Sequence, residues 1–207
     1  MNSRISRRTF GVATAGLVAA ATVSADDKDA DAKTDGPKPF EAEFTRDYEP
    51  PKFKLKWDKP QINREMATDF ILFAHADLKM TQKLLDKEPA LLNATMDWGK
   101  GDWETALGGA SHMGRKDIAK MLISRGARVD IFAATMLGML DTVKEMLTFE
   151  PKLIDLKGPH GFDLHWHAQC GQDDAKPVLD YLQSIKEKEL RQIPFLKKRD
   201  KSKSDGK

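Results

Sequence analysis

Residues 97–122 read Asp-Trp-Gly-Lys-Gly-Asp-Trp-Glu-Thr-Ala-Leu-Gly-Gly-Ala-Ser-His-Met-Gly-Arg-Lys-Asp-Ile-Ala-Lys-Met-Leu. Gly99 and Gly101 permit the positive φ that a tight hairpin turn needs. Thr105 is placed to cap a helix, its hydroxyl accepting from a backbone N–H that lacks a partner in the first turn. Leu107, Ala110 and Met113 then fall on one helical face. Gly114 breaks the helix, and Ile118, Met121 and Leu122 repeat the spacing in a second one. Gly126 stands just past its end, where helices stop in a left-handed residue. The stretch predicts a hairpin finger followed by two short antiparallel helices.

The same unit recurs on both sides. Upstream, Phe70, Ile71, Phe73, Ala74, Leu78, Leu84 and Leu85 make a helix pair broken near Asp77 and stopped at Glu88-Pro89, since proline disfavours helical geometry in the residue before it. Downstream, Asp130 is placed to cap a helix over 131–137, and Gly138 separates it from another over 140–148. A fourth pair follows Glu150-Pro151, with Gly171 at its predicted break and Val178, Leu179 and Leu182 on the last helix.

Thr105-Ala106-Leu107-Gly108, Gly114 and Gly126-Ala127 resemble an ankyrin repeat. They stand where that family has Thr-Pro-Leu-His, an inter-helix glycine and a closing Gly-Ala. Phe162-Asp163-Leu164-His165 keeps the Leu-His of the same motif. The resemblance covers about residues 67–186. From Leu107 to Ile131 the step is 24 residues, and from Ile131 to Leu164 it is 33. Ankyrin units step about 33, so roughly nine residues of finger are missing before the third unit. The expected fold is all-α, a short ankyrin-repeat solenoid of about four helix pairs, its third unit lacking a finger, with an extended N-terminal arm. The Gly158-Pro159-His160-Gly161 turn, Asp97-Trp98-Gly99, and Asp102-Trp103-Glu104-Thr105 further resemble a group of exported bacterial ankyrin-repeat proteins. That resemblance implies no activity.

Outside the repeats the composition shifts. Ser6-Arg7-Arg8-Thr9-Phe10 precedes the apolar run 12–23, and Val23-Ser24-Ala25 offers small residues for cleavage. This resembles a twin-arginine export signal over 1–25, too short to span a bilayer, which takes roughly 20 apolar residues. Periplasmic residence follows as an expectation, with no stable membrane span once the signal is removed. Residues 26–38 have almost nothing to bury and read as a disordered linker. Residues 39–62 hold Phe40, Phe44, Tyr48, Phe53, Leu55 and Trp57 among prolines. Phe53 to Trp57 alternates like a strand. This arm is expected to cap the open edge of the first repeat, as solenoid ends require. Residues 187–207 read as a basic, disordered tail carrying one apolar patch, Ile193-Pro194-Phe195-Leu196.

Charge narrows the partners. The chain is 32% charged yet nets only +2, and the three arginines of the signal exceed that whole excess. The remainder is about −1, which argues against a nucleic-acid partner. Cys170 is the single cysteine, so no internal disulfide forms. It is expected to be a buried thiol, although it lies three residues from His167, within reach on a helix. No P-loop, dinucleotide fingerprint or Gly-x-Ser-x-Gly elbow is present.

Repeat stacks leave an extended concave face with fingers beside it. The expected role is therefore a non-catalytic protein-binding module with no cofactor. Its partner face is assigned to Trp98, Lys100, Asp102, Trp103, Glu104, His112, His160, Phe162, His165 and Trp166. The resemblance gives His165 a structural role, bonding neighbouring turns. The alternative is a metal-binding protein or hydrolase on the same face. It draws on His112, His160 and His167, with Asp97, Asp102 or Glu104, which offer the nitrogen and oxygen donors a divalent metal takes. Gly108-Gly109 inside a helix costs about 1 kcal/mol per glycine relative to alanine. The expected reason is close approach of another backbone, or an opened pocket. Met113, Met121, Met136, Met139 and Met146 are expected core fillers.

Overall fold

The computed structural model describes residues 41–54, 56 and 58–196. The expected export signal and linker, Phe40, Leu55, Trp57 and residues 197–207 lie outside the described residues. Contacts divide the chain into Met1–Leu55 and Lys56–Lys207. The described residues of the first unit form neither helix nor strand, as their prolines demand. Phe44, Tyr48 and Phe53 are exposed. Phe44 and Tyr48 lie beside each other, their ring centroids 6.3 Å apart.

The second unit is mostly helical. Helix α1 spans Arg64–Phe73 and α2 Leu78–Lys87. Asn63 and Asp77 cap them by accepting from Met66 and Met80 N–H. A 3₁₀ turn, Pro89–Asn93, leads into strands β1 (Thr95–Asp97) and β2 (Trp103–Thr105), which pair antiparallel with Met96 opposite Glu104. This hairpin adds the only sheet among the described residues to an otherwise helical chain. Gly99, Lys100 and Gly101 all turn it at positive φ.

Helices α3 (Ala106–His112) and α4 (Lys116–Ser124) follow, with Thr105 capping α3 through Gly108 N–H at 3.0 Å. Then come α5 (Ile131–Met136), capped by Asp130 through Ala133 N–H at 2.8 Å, and α6 (Leu140–Phe149). The last helix, α7, runs Leu164–Ile185 but breaks at Gln172, where φ is 53°. It is thus a helix pair with no loop. Gln172, rather than Gly171, carries the left-handed turn predicted for the glycine. Gly171 has another duty: a Cβ there would collide with the Met136 carbonyl.

Helices α1, α3, α5 and α7 contact one another in succession, and α2 contacts α4. Two apolar clusters result. One is built around Phe70, Ile71, Leu91, Ile118, Leu122 and Met136, the other around Val143, Leu147, Leu164, Val178 and Leu182. Each fully buried side chain of this size is worth about 1.5–3 kcal/mol against exposure. Of the methionines expected in the core, Met136 is buried, Met113, Met121 and Met146 are partly buried, and Met139 is exposed.

Residues 187–196 do not form a detached tail. Ile193 is buried in the first cluster, Phe195 meets Trp166 edge-on, and Gln169 Nε2–H donates to the Arg191 carbonyl. The small apolar patch is what holds the segment down. No helix among the described residues is long and apolar enough to cross a membrane.

Candidate metal centre

Turns distant in sequence meet here. No hairpin lies between α4 and α5, and the 3₁₀ turn Pro159–Gly161 reaches α3 and the β1–β2 hairpin. His160 N–H donates to Asp102 Oδ1 at 2.9 Å, and His160 Nδ1–H to Asp102 Oδ2 at 3.0 Å. One carboxylate thus fixes both the backbone and the ring. His160 sits at φ 58°, ψ 18°, a left-handed conformation disfavoured for any side chain with a Cβ.

The strand period decides which finger residues face this turn. Successive strand side chains point to opposite faces. Trp103 is 61% exposed, while Glu104 beside it is 1% exposed. Inside, Glu104 Oε1 accepts from His112 Nε2 at 2.8 Å. Oε2 accepts from Trp98 Nε1–H at 2.7 Å and lies 3.4 Å from His75 Nε2 and 3.7 Å from His160 Nε2. His75 Nε2 and His112 Nε2 are 3.2 Å apart. Each of His75, Glu104, His112 and His160 offers one ligand atom, and the set lies within 4.8 Å.

Each side chain is held from behind. His75 follows α1, and its Nδ1–H donates to the Ile71 carbonyl at 2.9 Å, which leaves Nε2 facing Glu104. Its ring fills the space left by Gly109, where a Cβ would come within 2.7 Å of it. Gly109 therefore serves a side chain, not the backbone approach expected. His112 ends α3, and its carbonyl accepts from both Trp166 Nε1–H and the Cys170 thiol at 3.0 Å. His112 Nδ1 is buried without a hydrogen-bond partner. Trp98 stands edge-on to His75 and His160, and Phe162 flanks His112 and His160. Phe162 itself stacks on Trp166 at 4.1 Å.

The electrostatics centre on Glu104. Burial alone would raise its pKa, but hydrogen bonds from His112 and His75 outweigh this and hold it at about 2. Burial lowers His75, yet Glu104 wins and its pKa is raised. Burial dominates at His112, helped by the charges of His75 and His160, and its pKa is lowered. Glu104 is therefore a permanent carboxylate surrounded by three imidazoles.

The ten residues assigned to a partner face separate. Trp98, Lys100 and Trp103 are exposed on the finger, and Asp102 and His160 lie at its edge. Phe162 is partly buried. Glu104, His112, His165 and Trp166 are buried and present no side chain to a partner. His165 Nε2 bonds the Lys186 carbonyl at 3.0 Å, in keeping with a structural role. His167 is not in the cluster: its Nδ1–H donates to the Asp163 carbonyl, and burial lowers its pKa to about 4. Asp97 turns to the hairpin backbone, accepting from Gly99 and Gly101 N–H. Burial pushes the Cys170 thiol up to about 12, which removes it as a nucleophile. His75 was absent from the sequence reading, because it lies 37 residues from His112 and in no motif. The glycine at 109 was the one signal pointing to it.

No family model matches the chain, and no curated protein or solved structure matches it either.

Proposed function

We propose that this is an ankyrin-type repeat protein that binds one divalent transition metal at His75, Glu104 and His112, with His160 on the open side. The carrying observation is the convergence of these four donors around one buried carboxylate. With metal–nitrogen and metal–oxygen bonds of about 2.0–2.1 Å, the edge of a tetrahedral site is about 3.3 Å. The 3.2 Å between His75 and His112 nitrogens and the 3.4 Å from His75 to Glu104 match it. The 2.8 Å hydrogen bond of His112 goes to the other oxygen, Oε1, and its proton is displaced when His112 binds metal.

The surroundings support ligation. Metal-bound histidines donate their other N–H to a carbonyl or carboxylate. His75 does so to Ile71, and His160 on the open side is held in the same manner by Asp102. A pKa near 2 keeps Glu104 charged without proton loss on binding. Imidazole with carboxylate suits zinc, with cobalt, nickel and copper as competitors. Titration of the full chain with zinc by calorimetry, with metal counted by mass spectrometry, is expected to give one metal per chain. Wild-type protein that takes up no zinc would overturn the reading.

The recurrent helix pairs, their caps and the close-packed Gly114, Gly138 and Gly171 support the ankyrin-type reading. Export to the periplasm is part of the same proposal, and recovery of chain beginning at Asp26 from an envelope fraction would support it. A protein-binding face is the second reading. The observation favouring it is the exposure of Trp98 and Trp103 on one finger, since tryptophan dominates binding hot spots.

A further inference from the structure

The four converging side chains are not equivalent. His75 Nε2, His112 Nε2 and the Glu104 oxygens lie 2.8–3.4 Å apart, and all three residues sit at or against helix ends. His160 differs in place, exposure and bonding. It rides on a turn and is exposed, and its Nε2 is 3.7 Å from Glu104 Oε2. Its Nδ1–H is committed to the Asp102 carboxylate, so the Nε2 lone pair is aimed at the cluster. A carboxylate–imidazole pair beside a metal with an unfilled position is the arrangement that takes a proton from a bound water.

Resting on the metal reading above, we propose that His75, Glu104 and His112 hold the metal and a water fills its fourth position. His160, oriented by Asp102, acts as the base toward that water, and the protein hydrolyses a small carboxylic ester or amide. Glu104 is excluded as the base because it is itself a metal ligand in this reading, and its Oε2 accepts from the Trp98 indole. Asp102 is a positioning residue, since both its oxygens serve His160.

The step balances with water as the only co-reactant. His160 Nε2 takes one water proton while the water oxygen bonds the carbonyl carbon. The tetrahedral adduct collapses, the carbon–oxygen or carbon–nitrogen bond to the leaving group breaks, and the proton passes from Nε2 to that group. Nothing is oxidised or reduced.

Asp102 sits behind His160, on the Nδ1 side of its ring, and also borders a cleft of about 260 Å³ lined by Trp103, Gly108, Phe132, Lys157 and Pro159. That cleft offers space beside the site for a small acyl or leaving group.

The test uses zinc-loaded full chain with 4-nitrophenyl acetate, compared with metal-free protein and with His160→Gly, which suits the positive φ at 160. The variant is expected to keep zinc affinity within about threefold and lose hydrolysis by about 100-fold or more, the scale of a general base. Added imidazole is expected to restore part of the rate to His160→Gly, which a merely structural role would not allow. Loss of zinc from His160→Gly by more than 100-fold would make His160 a fourth ligand. The site would then be closed, and hydrolysis overturned with metal binding intact. Equal cleavage by wild type and variant, both zinc-loaded, would also overturn it. Failure of wild type to bind zinc would sink the metal reading itself.

Discussion

His75 and His167 are anchored the same way and meet opposite fates. In each, Nδ1–H donates to the carbonyl four residues back, at 2.9 Å to Ile71 and 2.8 Å to Asp163. In each, Nε2 is left pointing away from the helix. At His75 it faces a buried carboxylate and a second imidazole, and the pKa is raised. At His167 it is buried with no partner beside Phe132, and burial lowers the pKa to about 4. The local backbone offers the nitrogen. Only the element packed opposite decides whether it joins a cluster of polar donors or becomes an inert core atom.

The comparison breaks most severely at Glu104. Glu104→Gln keeps the shape and removes the charge that makes the His75 side different. Zinc affinity should fall by more than the 10–100-fold typical of outer-shell partners. Stability of the metal-free protein should fall by about 2 kcal/mol, the worth of hydrogen bonds to a charged group. Calorimetric titration and urea unfolding measure the two. Unchanged zinc affinity would remove Glu104 from the site.

The His167 side is tested by acid. A base whose folded pKa is depressed must be protonated on unfolding, so it costs stability as pH falls from 6.5 toward 4. The full cost at pH 4 is about 3 kcal/mol. His167→Phe is expected to remove most of this loss between pH 6.5 and 4. Glu104 titrates on the other side of that window. With its pKa depressed to about 2, its contribution is complete above the unfolded value of 4.5 and is lost as pH falls toward 2. Urea unfolding from pH 7 to 4 that shows the same slope in wild type and His167→Phe would contradict the assignment.

Gly109→Ala is a smaller test of how His75 reaches the cluster. The added Cβ meets the His75 ring at 2.7 Å. Overpacking costs about 1–3 kcal/mol, while alanine returns about 1 kcal/mol of helix propensity. A net loss of about 1 kcal/mol is expected, with zinc affinity down about tenfold, on the outer-shell scale. Alanine that improved stability with metal binding unchanged would show that the ring moves freely.

The mildest change in stability is expected at His160. Glycine relieves the positive φ, worth about 1 kcal/mol, but forfeits the ring's bond to Asp102, of similar size. Thermal unfolding of metal-free His160→Gly within about 1 kcal/mol of wild type would separate the residue's chemistry from its structural role.

Much of the helical frame was legible. Thr105 and Asp130 cap helices because a short polar side chain before an apolar period has one good use. Pro89 and Pro151 end helices because the residue before proline leaves the helical region. The shortened step before Ile131 was visible as spacing. The positive φ at Gln172 was not, because Gly171 next to it is the better residue for a turn. Only the packing of Met136 shows that the glycine is needed for space. Of the site, the sequence reading reached Glu104, His112 and His160 and added His167 wrongly.

Sequence by itself determined the helix pairs, the finger turn and the gap before the third unit, all of which depend on residues a few positions apart. Tertiary structure decided the site. His75, Glu104, His112 and His160 come from the end of α1, from β2, from the end of α3 and from the turn before α7. Nothing local relates them. Their meeting depends on α1 packing against α3 across Gly109, and on the turn at 159–161 reaching Asp102.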